Sequence, residues 1–134
     1  MTKDKGLGSI PDFEIKVDGE TYKASVATVR RFSLVVEDHG FFTVDLTFEG
    51  AGWGQGLGNY GLDVWDDATK TRVGTAYGFN FIAGIVNRIG SPEVAKGRRV
   101  VVLRKESWGM IDGFATLSDI GEIGEPFFPK QVAK

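Results

Sequence analysis

The chain has 134 residues, a length typical of one domain with a hydrophobic core of its own. Sixteen basic and eighteen acidic residues give a formal net charge of -2, which argues against general nucleic-acid binding, since such binders usually carry a basic excess. The absence of cysteine excludes disulfides and thiolate metal sites, and the single histidine excludes any site that needs several.

Hydropathy along the chain indicates where the protein works. No apolar run approaches the roughly 18 residues of a membrane span, and the N-terminus is polar, unlike a signal peptide. We therefore expect a cytoplasmic protein, or one delivered into a cytoplasm, without a membrane partner.

The N-terminal part predicts an arm followed by a hairpin. Residues 1–10 are polar and lack periodicity, so we expect a mobile N-terminal arm, with residues 11–134 forming a single domain. A strand is predicted over 12–17. Asp18-Gly19 predicts a tight hairpin turn because both residues tolerate positive φ, and the return strand runs from Thr21 past Val29.

A second hairpin is predicted on both sides of Asp38-His39-Gly40, because apolar and polar residues alternate before and after this turn. Its core-facing side chains are predicted to be Phe32, Leu34, Val36, Phe42, Val44 and Leu46.

The second half of the chain predicts one helix among short strands. An apolar stripe at helical spacing predicts a helix over 79–89, ended by Gly90; it consists of Phe79, Ile82, Val86 and Ile89, widened by Phe81 and Ile85. Strands are predicted over 60–65, 72–75, 100–103 and 110–117, and Phe127 and Phe128 are expected to hold the tail to the body. The predicted fold class is α+β: a bent antiparallel sheet or a partly open barrel packed against one helix.

An unusual run between the second hairpin and the helix carries six glycines in the twelve residues from Gly50 to Gly61. Ordering so much glycine is entropically costly, so the run predicts positive φ or close approach of a ligand. No strand–loop–helix unit and no Gly-Lys-Ser/Thr surrounds it, so neither known nucleotide fingerprint applies and we predict no cofactor. A glycine-rich bend that lets the sheet coil is the structural alternative.

Candidate ligand-binding residues follow from this run and its neighbours. The backbone amides of Gly54, Gln55, Gly56 and Gly58 are predicted to cradle an anion, as clustered amides do in phosphate sites. Trp53 or Tyr60 then supplies a stacking face, although either also suits a core position. Arg88 or Arg99 supplies the opposite charge, with solvated strand ends as the alternative for such basic residues.

Asp38 and His39 are a further pair of candidates. A carboxylate beside the only imidazole suits acid–base catalysis, and a hydrolase is one hypothesis. Asp-His-Gly is equally good turn chemistry, so a turn or a ligand contact is the alternative. We expect a protein without enzymatic activity rather than an enzyme.

The segment from about 29 to 117 resembles a family of small uncharacterised phage and prophage proteins. That family combines a Ser-Leu-x-x-Glu-Asp-His-Gly turn with a Gly-Gln-Gly-x-Gly-x-Tyr loop, matched here by residues 33–40 and 54–60. Leu57 replaces the usual phenylalanine and Asn59 the usual second glycine. The resemblance implies a phage accessory protein in the host cell cytoplasm, a class that often acts on host defence.

The leading functional hypothesis is therefore a binding protein for a small anionic ligand, either a nucleotide or a nucleotide second messenger. A module that binds a host protein or takes part in phage assembly is the alternative, with Phe41, Trp65 or Trp108 marking the interface. Ten phenylalanines and several short strands also predict a homo-oligomer, because edges and aromatic patches need cover.

Overall fold

The computed structural model describes residues 13–36, 40–57, 61–106 and 109–132. The predicted N-terminal arm lies outside these ranges. The strands are β1 (Phe13–Val17), β2 (Glu20–Val36), β3 (Phe42–Gly50), β4 (Trp53–Gly56), β5 (Asp63–Asp66), β6 (Thr71–Gly74), β7 (Arg99–Arg104) and β8 (Gly113–Thr116). The helices are α1 (Ala76–Ile89) and the single turn α2 (Pro92–Ala95), and a 3-10 turn covers Pro129–Gln131.

The predicted α+β class is confirmed, with an open sheet rather than a closed barrel. The main sheet has the order β4-β3-β2-β7-β8, and β1 pairs with the first part of β2. All of its strand pairs are antiparallel. β5 and β6 form a separate hairpin.

The first hairpin is formed as predicted. β1 and the start of β2 are joined by Asp18 and Gly19, which have φ of 49° and 83°. These two left-handed residues give the turn the twist that two antiparallel strands need. Phe13, Ile15 and Val17 of this hairpin pack against the face of the sheet that is opposite α1.

Strand β7 is an interior strand of the sheet, between β2 and β8. The run from Val100 to Leu103 is fully buried because β2 and β8 flank it and both faces are covered. Val100 and Val102 face the side that α1 covers, whereas Val101 and Leu103 face Phe128 and the first hairpin. A continuous apolar run is what a strand buried on both faces requires.

The second hairpin pairs as predicted, but its core face is shorter than the alternation indicates. Phe32, Val44 and Leu46 are buried, whereas Leu34 is 46% and Val36 67% exposed. The prediction was wrong for these two side chains. β7 pairs with β2 only as far as Thr28, so the distal part of β2 extends beyond the strand that flanks it on this edge. The Asp38-His39 turn itself lies outside the described residues.

The glycine run contains an edge strand that the sequence analysis treated as loop. β4 pairs with the end of β3 through a turn in which Gly52 has φ of 77°. Trp53, Gln55 and the buried Leu57 point inward, and the intervening glycines point outward. The alternation of a strand is therefore present, with glycine in every outward position.

Helix α1 is longer than predicted, and its buried stripe is narrower than the predicted one. It starts at Ala76, and its buried stripe is Phe81, Ile85 and Ile89, four residues apart. Phe79, which the predicted stripe included, is exposed. Gly90 ends the helix at φ of 88°, as predicted, and its N–H donates to the carbonyl of Val86.

The tail is held to the body by its paired phenylalanines, as predicted. The backbones of Phe114 and Phe127 exchange two hydrogen bonds of 3.0 and 2.7 Å, and both Phe127 and Phe128 are buried. A Cβ at Gly84 of α1 would overlap the Phe127 ring, so the helix approaches the tail at a glycine. This attachment carries the 3-10 turn to the first turn of α1.

Candidate functional site

A cleft of about 770 Å³ lies where the glycine run ends, against the first turn of α1. This volume is in the range of clefts that hold small molecules, roughly 300–1,000 Å³. Its walls are mainly apolar. The lining residues are Gly61, Asp63, Val64, Thr75, Ala76, Tyr77 and Lys130.

The start of α1 forms one wall because it is fixed against the chain that enters β5. Thr75 caps the helix: its hydroxyl accepts from the N–H of Gly78 at 2.9 Å, and its own N–H donates to the carbonyl of Leu62 at 3.2 Å. A Cβ at Gly78 would overlap the Leu62 backbone, so only glycine permits this approach. The cleft is thus bounded by two backbone segments in direct contact.

Tyr77 connects the helix to the tail. Its hydroxyl donates to the carbonyl of Pro129 at 3.4 Å, and its ring meets Phe81 edge-on with centroids 5.9 Å apart. Lys130 follows Pro129 in the chain and consequently lies at the rim of the cleft. Among the described residues, Lys130 has no ion-pair partner.

Asp63 also lines the cleft, and its charge is balanced by Arg72. The guanidinium donates from Nε to Oδ2 at 2.8 Å and from Nη2 to Oδ1 at 3.0 Å, and the N–H of Phe42 donates to Oδ1 at 3.1 Å. These donors hold the pKa of Asp63 below its usual range, with Arg72 the main cause. Asp63 therefore stays ionised near neutral pH. Because Arg72 balances its negative charge, Asp63 does not cancel the positive charge of Lys130.

The helix start adds donors to the same wall. The first amides of an α-helix have no intrahelical acceptor and carry a partial positive charge. Thr75 satisfies the amide of Gly78, whereas the amide of Ala76, another residue that lines the cleft, has no partner among the described residues. One lysine and one backbone donor therefore lie beside an apolar wall.

Two predicted site residues, Trp53 and Gln55, are brought together around a buried arginine. Arg104 donates from Nη2 and Nε to the Gln55 amide oxygen at 2.6 and 3.1 Å, and its guanidinium lies 4.8 Å from the Trp53 ring centroid. Gln55 donates onward to the carbonyl of Gly109 at 3.0 Å. The cluster ties β4 to β7 and to the segment before β8.

The other predicted residues are dispersed. Gly54 and Gly56 lie on the outer side of β4. Arg88 donates to the carbonyls of Gly84, Glu125 and Pro126, so its described contacts are with α1 and the tail. Arg99 is exposed at the start of β7. The remaining candidates lie outside the described residues: Asp38, His39, Gly58 and Tyr60.

Three residues of the cleft were not predicted from the sequence: Thr75, Tyr77 and Lys130. Thr75 carried a signal, since a threonine directly before an apolar-periodic segment is typical of a helix N-cap. Lys130 carried none, because its approach to α1 depends on how the tail packs.

Comparison with known proteins gives no relative: no protein-family model, curated protein or solved structure matches this chain. The resemblance to phage and prophage proteins therefore stays a prediction. Within the described ranges, no group of three or more acidic or histidine side chains is placed to hold a metal ion. No helix in the described part of the chain is long and apolar enough to cross a membrane.

Proposed function

We propose that the protein binds a small anionic ligand in the cleft between Gly61 and the first turn of α1. The observation that carries the proposal is the combination at one site of a ligand-sized cleft, mainly apolar walls and a lysine without an ion-pair partner among the described residues. Such a site accommodates a ligand with an apolar body and one charged end.

A nucleotide or nucleotide second messenger has this composition. Its base matches the wall formed by Val64 and Tyr77, since every base presents an apolar face. Its phosphate matches Lys130 and the amide of Ala76, because helix starts and lysines both favour phosphate oxygens. The resemblance to phage proteins suggests the use: removal of a nucleotide signal of the host defence, without catalysis.

Native mass spectrometry after mild purification, followed by a thermal-shift panel of nucleotides, tests the proposal. We expect a co-purifying ligand or a stabilising nucleotide, and we expect Lys130→Gln to weaken binding about tenfold at low salt. Lys16→Gln is the matched control, because Lys16 is also exposed but lies on β1. A bare protein that no nucleotide stabilises contradicts the proposal.

A protein-binding surface is the second candidate function, and one observation favours it. Trp65 is 55% and Phe41 47% exposed, and Arg72 connects them: it is the cross-strand partner of Trp65, and its guanidinium lies 4.6 Å from the Phe41 ring centroid. Tryptophan and arginine are enriched among the residues that dominate protein interfaces. Trp65→Ser separates the two candidates, since it should abolish partner binding and leave nucleotide affinity unchanged.

A further inference from the structure

The distal half of β2 has an open edge. One edge of this strand pairs with β3 as far as Val36, whereas the other pairs with β7 only as far as Thr28. Two further bonds, from Val29 to the carbonyl of Arg98 and from Gly97 to the carbonyl of Val29, close the edge for one more residue. Beyond the bulge that follows, no strand of the described chain pairs with the outer edge of residues 31–36.

The open edge lacks the features that usually protect such strands. Charged side chains, proline and an inward-pointing lysine discourage pairing between edges. Residues 32–36, Phe-Ser-Leu-Val-Val, contain none of these. Arg31 and Glu37 are the adjacent charged residues in the sequence, and the guanidinium of Arg31 is paired with Asp45 of β3 at 3.1 Å. A strand that approaches this edge therefore meets backbone donors and acceptors beside apolar side chains.

The same five residues are complementary to themselves. Two identical antiparallel strands related by a two-fold axis perpendicular to the sheet must pair residues of equal parity, because side chains alternate between faces. With Leu34 on the axis, Leu34 meets Leu34 and Val36 meets Phe32. This register places the exposed Leu34 and Val36 against apolar partners, on the face where Phe32 already enters the core.

The absence of charge makes this pairing tolerable in a symmetric contact. In an isologous contact the residue on the axis faces its own copy, so a charge at that position would be opposed by the same charge. Like charges directly opposite on paired strands are destabilising. Residues 32–36 bring none to the axis.

We infer that two copies of this chain associate through the open edge of β2, with Leu34 on the two-fold axis and the two main sheets joined into one. The occupant of the edge is thus a second copy. The contact is small, so we expect a dissociation constant of roughly 10 μM, at the weak end of specific interfaces. This inference is independent of the ligand cleft.

Sedimentation equilibrium over a range of concentrations measures the association. The wild type should approach twice the 14.6 kDa mass of one chain at concentrations well above the dissociation constant. Leu34→Lys should weaken the dimer at least tenfold, since it replaces an apolar pair with two facing lysines. Leu34→Glu should do the same. Leu34 is nearly half exposed, so both variants should keep the fold, which circular dichroism checks.

The mixture of the two variants is the decisive experiment. Only if Leu34 faces its own copy does an equimolar mixture of Leu34→Lys and Leu34→Glu bring opposite charges together and restore the dimer mass. Phe79→Lys, on the exposed face of α1, is the control and should leave the dimer intact. The inference is overturned by a wild type that stays monomeric, by a mixture that stays monomeric, or by a dimer that Phe79→Lys dissolves.

Discussion

Replacement of Asp63 by asparagine should loosen the hairpin β5–β6 from the main sheet. The carboxylate accepts two hydrogen bonds from Arg72 and one from the backbone of Phe42, and Asp63 stands in the hairpin's first cross-strand pair, opposite Gly74. Asparagine keeps one acceptor oxygen but presents an amide to the guanidinium and removes the negative charge. The substitution removes no comparable interaction from the unfolded state, so the free energy of unfolding decreases.

The expected magnitude follows from the exposure of the pair. Hydrogen bonds to charged groups contribute about 1.5–3 kcal/mol. The side chains of Asp63 and Arg72 are only 10% and 23% exposed, so solvent screens them little. We expect a loss of about 2 kcal/mol in the free energy of unfolding, or about 7 °C in Tm for a chain of this length.

Urea denaturation at pH 7 measures this loss, with Asp67→Asn as the matched control. Asp67 also pairs with a cation, Lys70 at 2.9 Å, but both side chains are largely exposed, so its removal should cost less than about 0.5 kcal/mol. Equal losses for the two variants would refute the assignment of Asp63 as the residue that fixes the hairpin.

Acidification provides an independent check of the same pair. The pKa of Asp63 is lowered in the folded protein, chiefly by Arg72. Its contribution to stability is therefore complete above the unfolded value of about 3.9 and is lost as the pH falls through the lowered folded pKa. The difference in stability between wild type and Asp63→Asn should narrow below about pH 4. A constant difference down to the acid transition would contradict the ionic origin of the effect.

Gln55→Ala should lower the free energy of unfolding, measured by urea denaturation, by about 2–3 kcal/mol, because it leaves the buried guanidinium of Arg104 without its amide acceptor. The control Gln131→Ala, at an exposed position, should change it by nearly nothing. Gly78→Ala should destabilise by several kcal/mol or prevent folding, since the added methyl overlaps the Leu62 backbone. Gly54→Ala should change the free energy of unfolding by less than about 1 kcal/mol, because its nearest neighbours lie at 3.5 Å or more. Similar effects for the two glycine variants, or for the two glutamine variants, would contradict these assignments.

Local signals predicted the parts of the fold that local chemistry decides. Asp18-Gly19 specifies its own turn, because two residues that tolerate positive φ need no tertiary support. The apolar run of β7 likewise specifies a strand buried on both faces. Gly90 ends α1 for the same kind of reason, since a left-handed cap favours glycine.

Contacts between distant segments decide the features that the sequence did not predict. The exposure of Leu34 depends on where β7 stops pairing with β2, and alternation within β2 carries no information about that point. β4 was missed because glycine hides half of its alternation. The cleft was missed because Lys130 reaches α1 only through the packing of the tail.

Calorimetric titration of the full chain with the nucleotide that gives the largest thermal shift tests the central claim most directly, namely that the cleft beside Gly61 binds a small anionic ligand. The account predicts saturable binding of one nucleotide per chain, weakened about tenfold by Lys130→Gln at low salt and unchanged by Lys16→Gln. Absence of binding at millimolar nucleotide, or equal affinity of wild type and Lys130→Gln, would contradict it.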